Sequence, residues 1–332
     1  MMDIEKINDF NQLVKIITES RERALRKVNE ELINLYWNVG KYVYTELLNS
    51  NKGDAYISEM SKFITTNCPG IKGFSSRGLY RMKKFYETYM SVSFSPTLLA
   101  KISWSNHTII LSGSKSAEER EFYINLCIKE RYSARELQRQ IDSGYFERYM
   151  LSKSKLEPIA LPQKVKNEFL DNYVLDFLDL PENFSENQLQ KGITSNLKKF
   201  ILEFGKDFTL IGQEYRVQVG GHDYYIDLLF YHRELACLVA VELKIGEFKP
   251  EYLGKMNFYL EALDREIKKE HENPSVGIIL CSTKDDEVVE FALSRSLSPT
   301  LVSEYKTKLI DKDILRQKLH ELIQIADEES KS

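Results

Sequence analysis

Two hydrophobic runs in the second half of the chain carry charged residues where charge is costly. Asp227 lies in residues 223–231 (DYYIDLLFY), and Glu242 and Lys244 lie in residues 238–245 (LVAVELKI). Both runs are rich in aromatic, branched and leucine residues and read as strands. In the second, Val239, Val241, Leu243 and Ile245 point one way, and Ala240, Glu242 and Lys244 point the other. Charged side chains are rarely buried without a partner. An acid on one strand, with an acid and a lysine on the next, can hold a divalent metal beside a phosphodiester. Mg2+ takes hard oxygen ligands, usually one or two carboxylates with waters and phosphate. A lysine beside it can orient or help deprotonate the metal-bound water and neutralise developing charge. A salt bridge between Lys244 and either acid is the structural alternative.

The letters E-x-K are weak by themselves. The chain has several such pairs, among them Glu242/Lys244, Glu247/Lys249, Glu266/Lys268 and Glu304/Lys306. The second is expected in a turn, the third on a helix surface and the fourth at a strand end. Only the first sits mid-strand in an apolar run with an acid on the preceding strand. The connector 232–236 is short enough for a hairpin that brings Asp227 towards Glu242.

The elements that must position these residues differ from those before them. Residues 1–150 read as an all-helical domain. A long helix over 12–50 places Leu25, Val28, Leu32, Leu35, Val39, Val43 and Leu47 at spacings of three and four. Further helices are expected over 55–66, from Ser75 or Ser76 to about 90, and over 117–130 and 134–142. Residues 151–163 (LSKSKLEPIALPQ) read as a linker. Beyond it, helices over 164–179 and 186–204 precede strands over 208–219, 223–232 and 236–245. A helix over 250–268, a strand over 275–282, a helix over 285–295, a strand over 299–304 and a helix over 311–328 complete the chain. An antiparallel strand group followed by a β-α-β crossover predicts an α/β domain with a mixed sheet over 164–332.

At 332 residues, 42% hydrophobic and 29% charged, the chain can bury a sizeable core in two domains. No apolar run approaches the ~20 residues of a membrane span, and the opening MMDIEKINDF is no signal peptide, so a cytoplasmic location is expected. Cys68, Cys127, Cys237 and Cys281 form no C-x-x-C pair and are expected as reduced thiols. Residues 1–150 hold 22 Lys+Arg and 18 Asp+Glu, and residues 151–332 hold 24 and 32, so the net −4 divides into +4 and −8. The basic half could carry a nucleic-acid footprint and the acidic half metal ligands, although charged residues usually just solvate a surface.

Within the helical region, Lys72, Arg77, Arg81, Lys83 and Lys84 bring five positive charges into residues 72–86 with no acid among them. Tyr80 and Tyr86 are interleaved. Arg77, Arg81 and Lys84 fall at i, i+4 and i+7, on one helix face. A helix, a glycine-containing turn and a basic helix are consistent with a helix-turn-helix-like DNA reader. The turn is longer than usual, and a solvated basic face or a dimer contact is the alternative. Trp104 and His107, in residues 102–111 (ISWSNHTIIL), are expected to serve core packing and capping. The long first helix either mediates homo-oligomerisation or is buried in a bundle.

At these residues the chain resembles a known family, the YhcG-type PDDEXK nuclease-domain proteins of bacteria. The C-terminal stretches that carry the resemblance are residues 179–208, 212–221 (GQEYRVQVGG), 227–232 (DLLFYH), 237–264 and 272–298. The N-terminal ones are residues 24–41, 69–89, 102–111 and 119–148. The resemblance implies a restriction-endonuclease-like, PD-(D/E)xK core. Its acids map onto Asp227 and Glu242, which would bind Mg2+ or Mn2+, and its lysine maps onto Lys244. Many nucleases of this superfamily place a further acid on the helix before the core strands. This chain has Gln190 there (LQKGI, residues 189–193), which can hydrogen-bond a metal-bound water or coordinate through its carbonyl but brings no charge. Glu214 or Glu186 could substitute, or both are surface acids. Related nucleases also use a Gln-x-x-x-Tyr pair on the following helix, where this chain has Lys255 and Tyr259. Lys255 is then a phosphate contact, or else a solvated lysine beside a core tyrosine. The expected function is a metal-dependent endonuclease, DNA being the favoured substrate, with the helical domain engaging it. The alternative, motivated by Gln190, is a non-catalytic nucleic-acid-binding or assembly module on a nuclease fold. In a third reading the helical domain is a protein-interaction scaffold.

Overall fold

In a computed structural model of the protein, the residues described are 4–50, 54–90, 96–153, 165, 168–294, 296 and 299–329. They divide into two compact units, Met1–Arg139 and Gln140–Ser332. The first is helical: α1 (Ile4–Ser50), α2 (Asp54–Asn67), α3 (Ser76–Tyr89), α4 (Pro96–Leu99), α5 (Trp104–Gly113), α6 (Ala117–Glu130) and most of α7 (Ala134–Asp142). Its core joins α1 to α2 and α3 through Tyr36, Val43, Ile57, Leu79 and Met82. Gly40 lets the two long helices approach, because a side chain there would run into the Met82 carbonyl. Asn29 anchors α1 by donating to the Ala100 and Ile102 carbonyls.

The periodic apolar positions of the long helix therefore have two fates. Leu32, Val39, Val43 and Leu47 pack in the core. Phe10, Leu13, Val14, Ile17, Leu25 and Val28 are each at least 50% exposed. Trp104 packs on Tyr36 at 4.4 Å between ring centroids, and Ser103 caps α5. His107 is fully buried and meets the Leu99 carbonyl through Nε2 at 2.8 Å.

The second unit is built on a six-stranded mixed sheet: β1 (Asn172–Val174), β2 (Phe208–Val219), β3 (His222–His232), β4 (Cys237–Leu243), β5 (Asn273–Cys281) and β6 (Thr300–Lys306). The spatial order is β1-β6-β5-β4-β3-β2. The first four in that order run parallel, and β3 and β2 are antiparallel additions. The helices are α8 (Tyr145–Lys153), α9 (Glu186–Ser195), α10 (Leu197–Phe204), α11 (Tyr252–Ala262), α12 (Asp286–Leu293) and α13 (Lys312–Glu329). One sheet face, with Val239, Val241 and Leu243, packs on Leu189, Ile193, Phe200 and Phe204 of α9 and α10. The other, with Leu238, Ala240 and Ile279, packs on Met256, Tyr259 and Leu260 of α11 and Val289 and Leu293 of α12. Gly277 of β5 sets how near α11 can lie: a Cβ there would stand 2.6 Å from Met256.

Two expectations are corrected. Residues 172–178 are not helical; β1 and a 3-10 turn (Asp176–Leu178) stand there. Tyr173 and Val174 are fully buried because β1 closes the sheet edge beside β6, a tertiary contact that outweighs local helix periodicity. The helix expected over 186–204 is two helices, divided at Asn196, whose side chain and amide both return to the Gly192 carbonyl. Helices α4, α5 and α8 were not anticipated. The expected linker begins inside α8, and its residues 154–163 lie outside the described residues.

Within this unit a buried ion pair ties α8 to the sheet. Arg148 Nη1 donates to Glu203 Oε1 at 2.6 Å and to the Asn172 carbonyl at 2.8 Å, and both side chains are completely enclosed. Glu203 Oε1 also accepts the Val174 amide at 2.8 Å.

Candidate metal centre

Strand alternation sends Glu242 to the same face as Ala240, beneath α11, and the tight packing of that helix leaves Glu242 1% exposed. Asp227 arrives differently. Ile226 packs on one sheet face and Leu228 on the other, so the alternation of β3 breaks at Asp227. Opposite it, Glu214 of β2 has φ +45°, a left-handed conformation uncommon outside glycine. The β2–β3 register passes from Gln213↔Leu228 to Tyr215↔Ile226, and the last β3–β4 pair before Asp227 is Leu228↔Val241. Past that pair the Leu243 amide is free of β3, and it donates to Asp227 Oδ2 at 2.7 Å. Two carboxylates thus meet where the ladder ends, an irregularity of the kind that re-aims side chains at sites.

Two lysines face them. Glu242 Oε1 lies 3.0 Å from Lys244 Nζ and 2.6 Å from Lys255 Nζ. Lys244 is steadied by Glu186 at 3.2 Å and lies over the Tyr252 ring. Lys255 lies over Tyr259, whose hydroxyl donates to the Tyr225 carbonyl. Gln190 is buried and donates through Nε2 to the Asp227 carbonyl at 2.8 Å. A glutamate there would set a carboxylate against that carbonyl, because an ionised acid only accepts. Glu186 is the partner of Lys244, and Glu214 is an exposed strand residue with an unusual backbone.

Burial, and then the Glu242 charge, push the Asp227 carboxyl up to about 6, against the opposing pull of the Leu243 amide and the two lysines. Burial works to lower the Lys244 ammonium, but Glu242 and Glu186 outweigh it and hold the group above its ordinary range. Lys255 is raised in the same way by Glu242. Both lysines are therefore charged donors, better suited to neutralising an anion than to accepting a proton.

Glu242 Oε2 is buried and has no hydrogen-bond partner among the described residues. A buried carboxylate oxygen left unsatisfied is costly. A hard divalent cation between it and Asp227 would satisfy it, so the donor set fits Mg2+ or Mn2+. The set is lean: among the described residues no group of three or more His, Cys, Asp or Glu is placed to hold a metal. The four cysteines are free, and only Cys68 is exposed.

In the helical unit, Ser75 caps α3, and Leu79, Met82, Phe85 and Tyr89 form its buried face. Lys72, Arg77, Tyr80, Arg81 and Lys84 are exposed. Lys83 turns aside to Glu87 at 3.0 Å, and Tyr86 packs on Trp37. Among the described residues no helix is long and apolar enough to cross a membrane.

A six-stranded mixed sheet with helices on both faces is the architecture of a PDDEXK nuclease domain. Residues 166–320 match the model of the YhcG PDDEXK nuclease domain, and residues 12–148 match that of the DUF1016 N-terminal domain. The chain belongs to the family that joins these two domains. It is 28% identical over 347 aligned residues to a protein of Escherichia coli (strain K12) named "Putative nuclease YhcG", covering 92% of each. Among solved structures, the crystal structure of a repair endonuclease from Pyrococcus abyssi aligns with a TM-score of 0.26 and 16% identity over 39% of this chain and 49% of that one, too distant a likeness to support any inference.

Proposed function

We propose that the protein is a Mg2+- or Mn2+-dependent endonuclease that hydrolyses phosphodiester bonds of nucleic acid, DNA being favoured. The observation that carries this reading is the convergence of Asp227 and Glu242 at the end of β4, with Glu242 Oε2 buried and unpartnered among the described residues. Asp227 and Glu242 would hold the ion. When bound, such an ion polarises the phosphodiester and lowers the pKa of a water. The Leu243 amide and the Gln190 side chain fix Asp227. Lys244, poised by Glu186, donates to a phosphate oxygen or to the attacking water and offsets the charge that develops there. The YhcG name of the similar protein supports the nuclease class. Arg77, Arg81, Lys84, Lys72 and Tyr80 form an exposed basic face suited to phosphate contacts in DNA. The exposed stripe of α1 supports association with a second copy. Charges of both signs flank it, including Lys15, Glu19, Glu22 and Arg26, so a like helix meets no uniform repulsion.

The test is incubation of the purified protein with linear, nicked, branched and single-stranded DNA and RNA under Mg2+, Mn2+ and EDTA. Cleavage that needs the metal and disappears in Glu242→Ala supports the reading; full activity in that variant sinks it. The lean ligand set favours, as a second reading, a module that binds nucleic acid without cutting it. Salt-sensitive DNA binding with no cleavage under any divalent ion would select that reading.

A further inference from the structure

We propose that the Lys255 ammonium is a tethered cation standing where a second divalent ion would otherwise sit, so that the centre takes one metal ion. This rests on the metal-nuclease reading above. Lys255 reaches Glu242 from α11, not from the strand, and its 2.6 Å contact is closer than the 3.0 Å contact of Lys244. Its position is built in. Met256, the next residue, is pressed onto Gly277, and Tyr259, one turn on, is tied to the Tyr225 carbonyl beneath the ammonium.

Glu242 Oε1 is occupied by both lysines, and Asp227 Oδ2 is occupied by the Leu243 amide. That leaves the buried Glu242 Oε2 and the second Asp227 oxygen, one from each acid, which suffices for one ion. Paired-metal centres hold their ions about 3.5–4 Å apart and need oxygens to share between them. Here Gln190, where an acid would add a charged oxygen, offers only a neutral carbonyl while its Nε2 is committed to a backbone carbonyl, and no third acid joins the cluster among the described residues. Two divalent ions would set four positive charges, beside two ammonium groups, against two carboxylates. One ion with Lys244 and Lys255 comes far closer to balance. In this arrangement Lys255 supplies, from a side chain, the fixed positive charge that a second ion brings to a phosphate.

The experiment is Mn2+ titration of the full chain by calorimetry, with free Mn2+ counted by electron paramagnetic resonance. Wild-type protein should bind one ion per chain, and Asp227→Asn should abolish the binding. Lys255→Gln removes the shorter of the two contacts on Glu242 Oε1, leaving that of Lys244, and should bind one ion severalfold more tightly. Lys255→Glu supplies a third carboxylate and should bind two. Lys255 is nearly half exposed, so both variants should fold, with Lys255→Glu melting lower in the absence of metal because it sets a second acid against the buried Glu242. Two Mn2+ per wild-type chain, both lost in Asp227→Asn, would overturn the inference while leaving the metal centre standing. Unaltered affinity in a well-folded Lys255→Gln protein would also overturn it. No Mn2+ bound by wild-type protein would overturn the metal centre and the inference together.

Discussion

Glu242 shows how one residue can be both expensive and useful. Its burial is tolerated because two ammonium groups meet one of its oxygens, and the other, unpartnered among the described residues, is where the proposed cation would bind. Asp227→Asn and Glu242→Gln should each cut Mg2+-dependent cleavage by at least about a hundredfold with little change in thermal melting. Lys244→Met should do the same, because in the proposed reaction its charge acts on the phosphate. Initial-rate assays on labelled DNA, beside melting curves, check all three. Arg148 has the opposite character: it touches no reacting group and holds the second unit together. Arg148→Ala leaves Glu203 charged and enclosed, and should cost about 3–5 kcal/mol in chemical denaturation. Arg148→Met combined with Glu203→Leu should recover most of that loss.

At the scale of elements, α5 and α3 carry separable predictions. His107 is enclosed between Phe85 and Tyr89, and burial pushes its imidazole down to about 4 from an ordinary 6.5. The unfolded chain takes up the proton first, so the stability His107 lends is complete above pH 6.5 and lost as the pH falls towards 4. The difference approaches about 3 kcal/mol. Both tryptophans, Trp37 and Trp104, belong to the helical unit, so fluorescence-monitored urea unfolding reads that unit selectively. His107→Gln should flatten its pH dependence. On α3, reversing Arg77, Arg81 and Lys84 to glutamate should weaken DNA binding and lower the slope of log affinity against log salt by about 2–3. Fluorescence anisotropy across a salt series measures it; retained affinity would favour a protein-interaction role for the helical unit.

Elements were legible in the sequence where a long period or a cap announced them. Ser75 and the apolar spacing of residues 79–89 marked α3, and the alternation of 238–243 marked β4 with its buried acid. Three-residue β1 was not legible, since its residues are buried by β6, which lies far along the chain.

At the scale of the whole molecule, α1 is too long for the core it enters, and its first half presents Phe10, Leu13, Val14 and Ile17 to solvent. Leu13→Glu with Ile17→Lys should convert a self-associated protein to a monomer in light scattering without altering Asp227-dependent metal binding. Monomeric wild-type protein at micromolar concentration would end that reading.

What the sequence by itself determined is the chemistry available: two acids on adjacent strands of an α/β domain with a lysine just past the second, and a basic helix in an all-helical region. Residue type and period are local properties, and they survive in most of the fold, though not in β3 at Asp227. Only the tertiary structure decided how those groups are used. The end of the β3–β4 ladder hands the Leu243 amide to Asp227, Gly277 lets α11 bring Lys255 onto Glu242, and Gln190 becomes a buttress of the Asp227 backbone. Those outcomes depend on contacts between residues 13–37 positions apart, set by packing and register, and no local pattern encodes them.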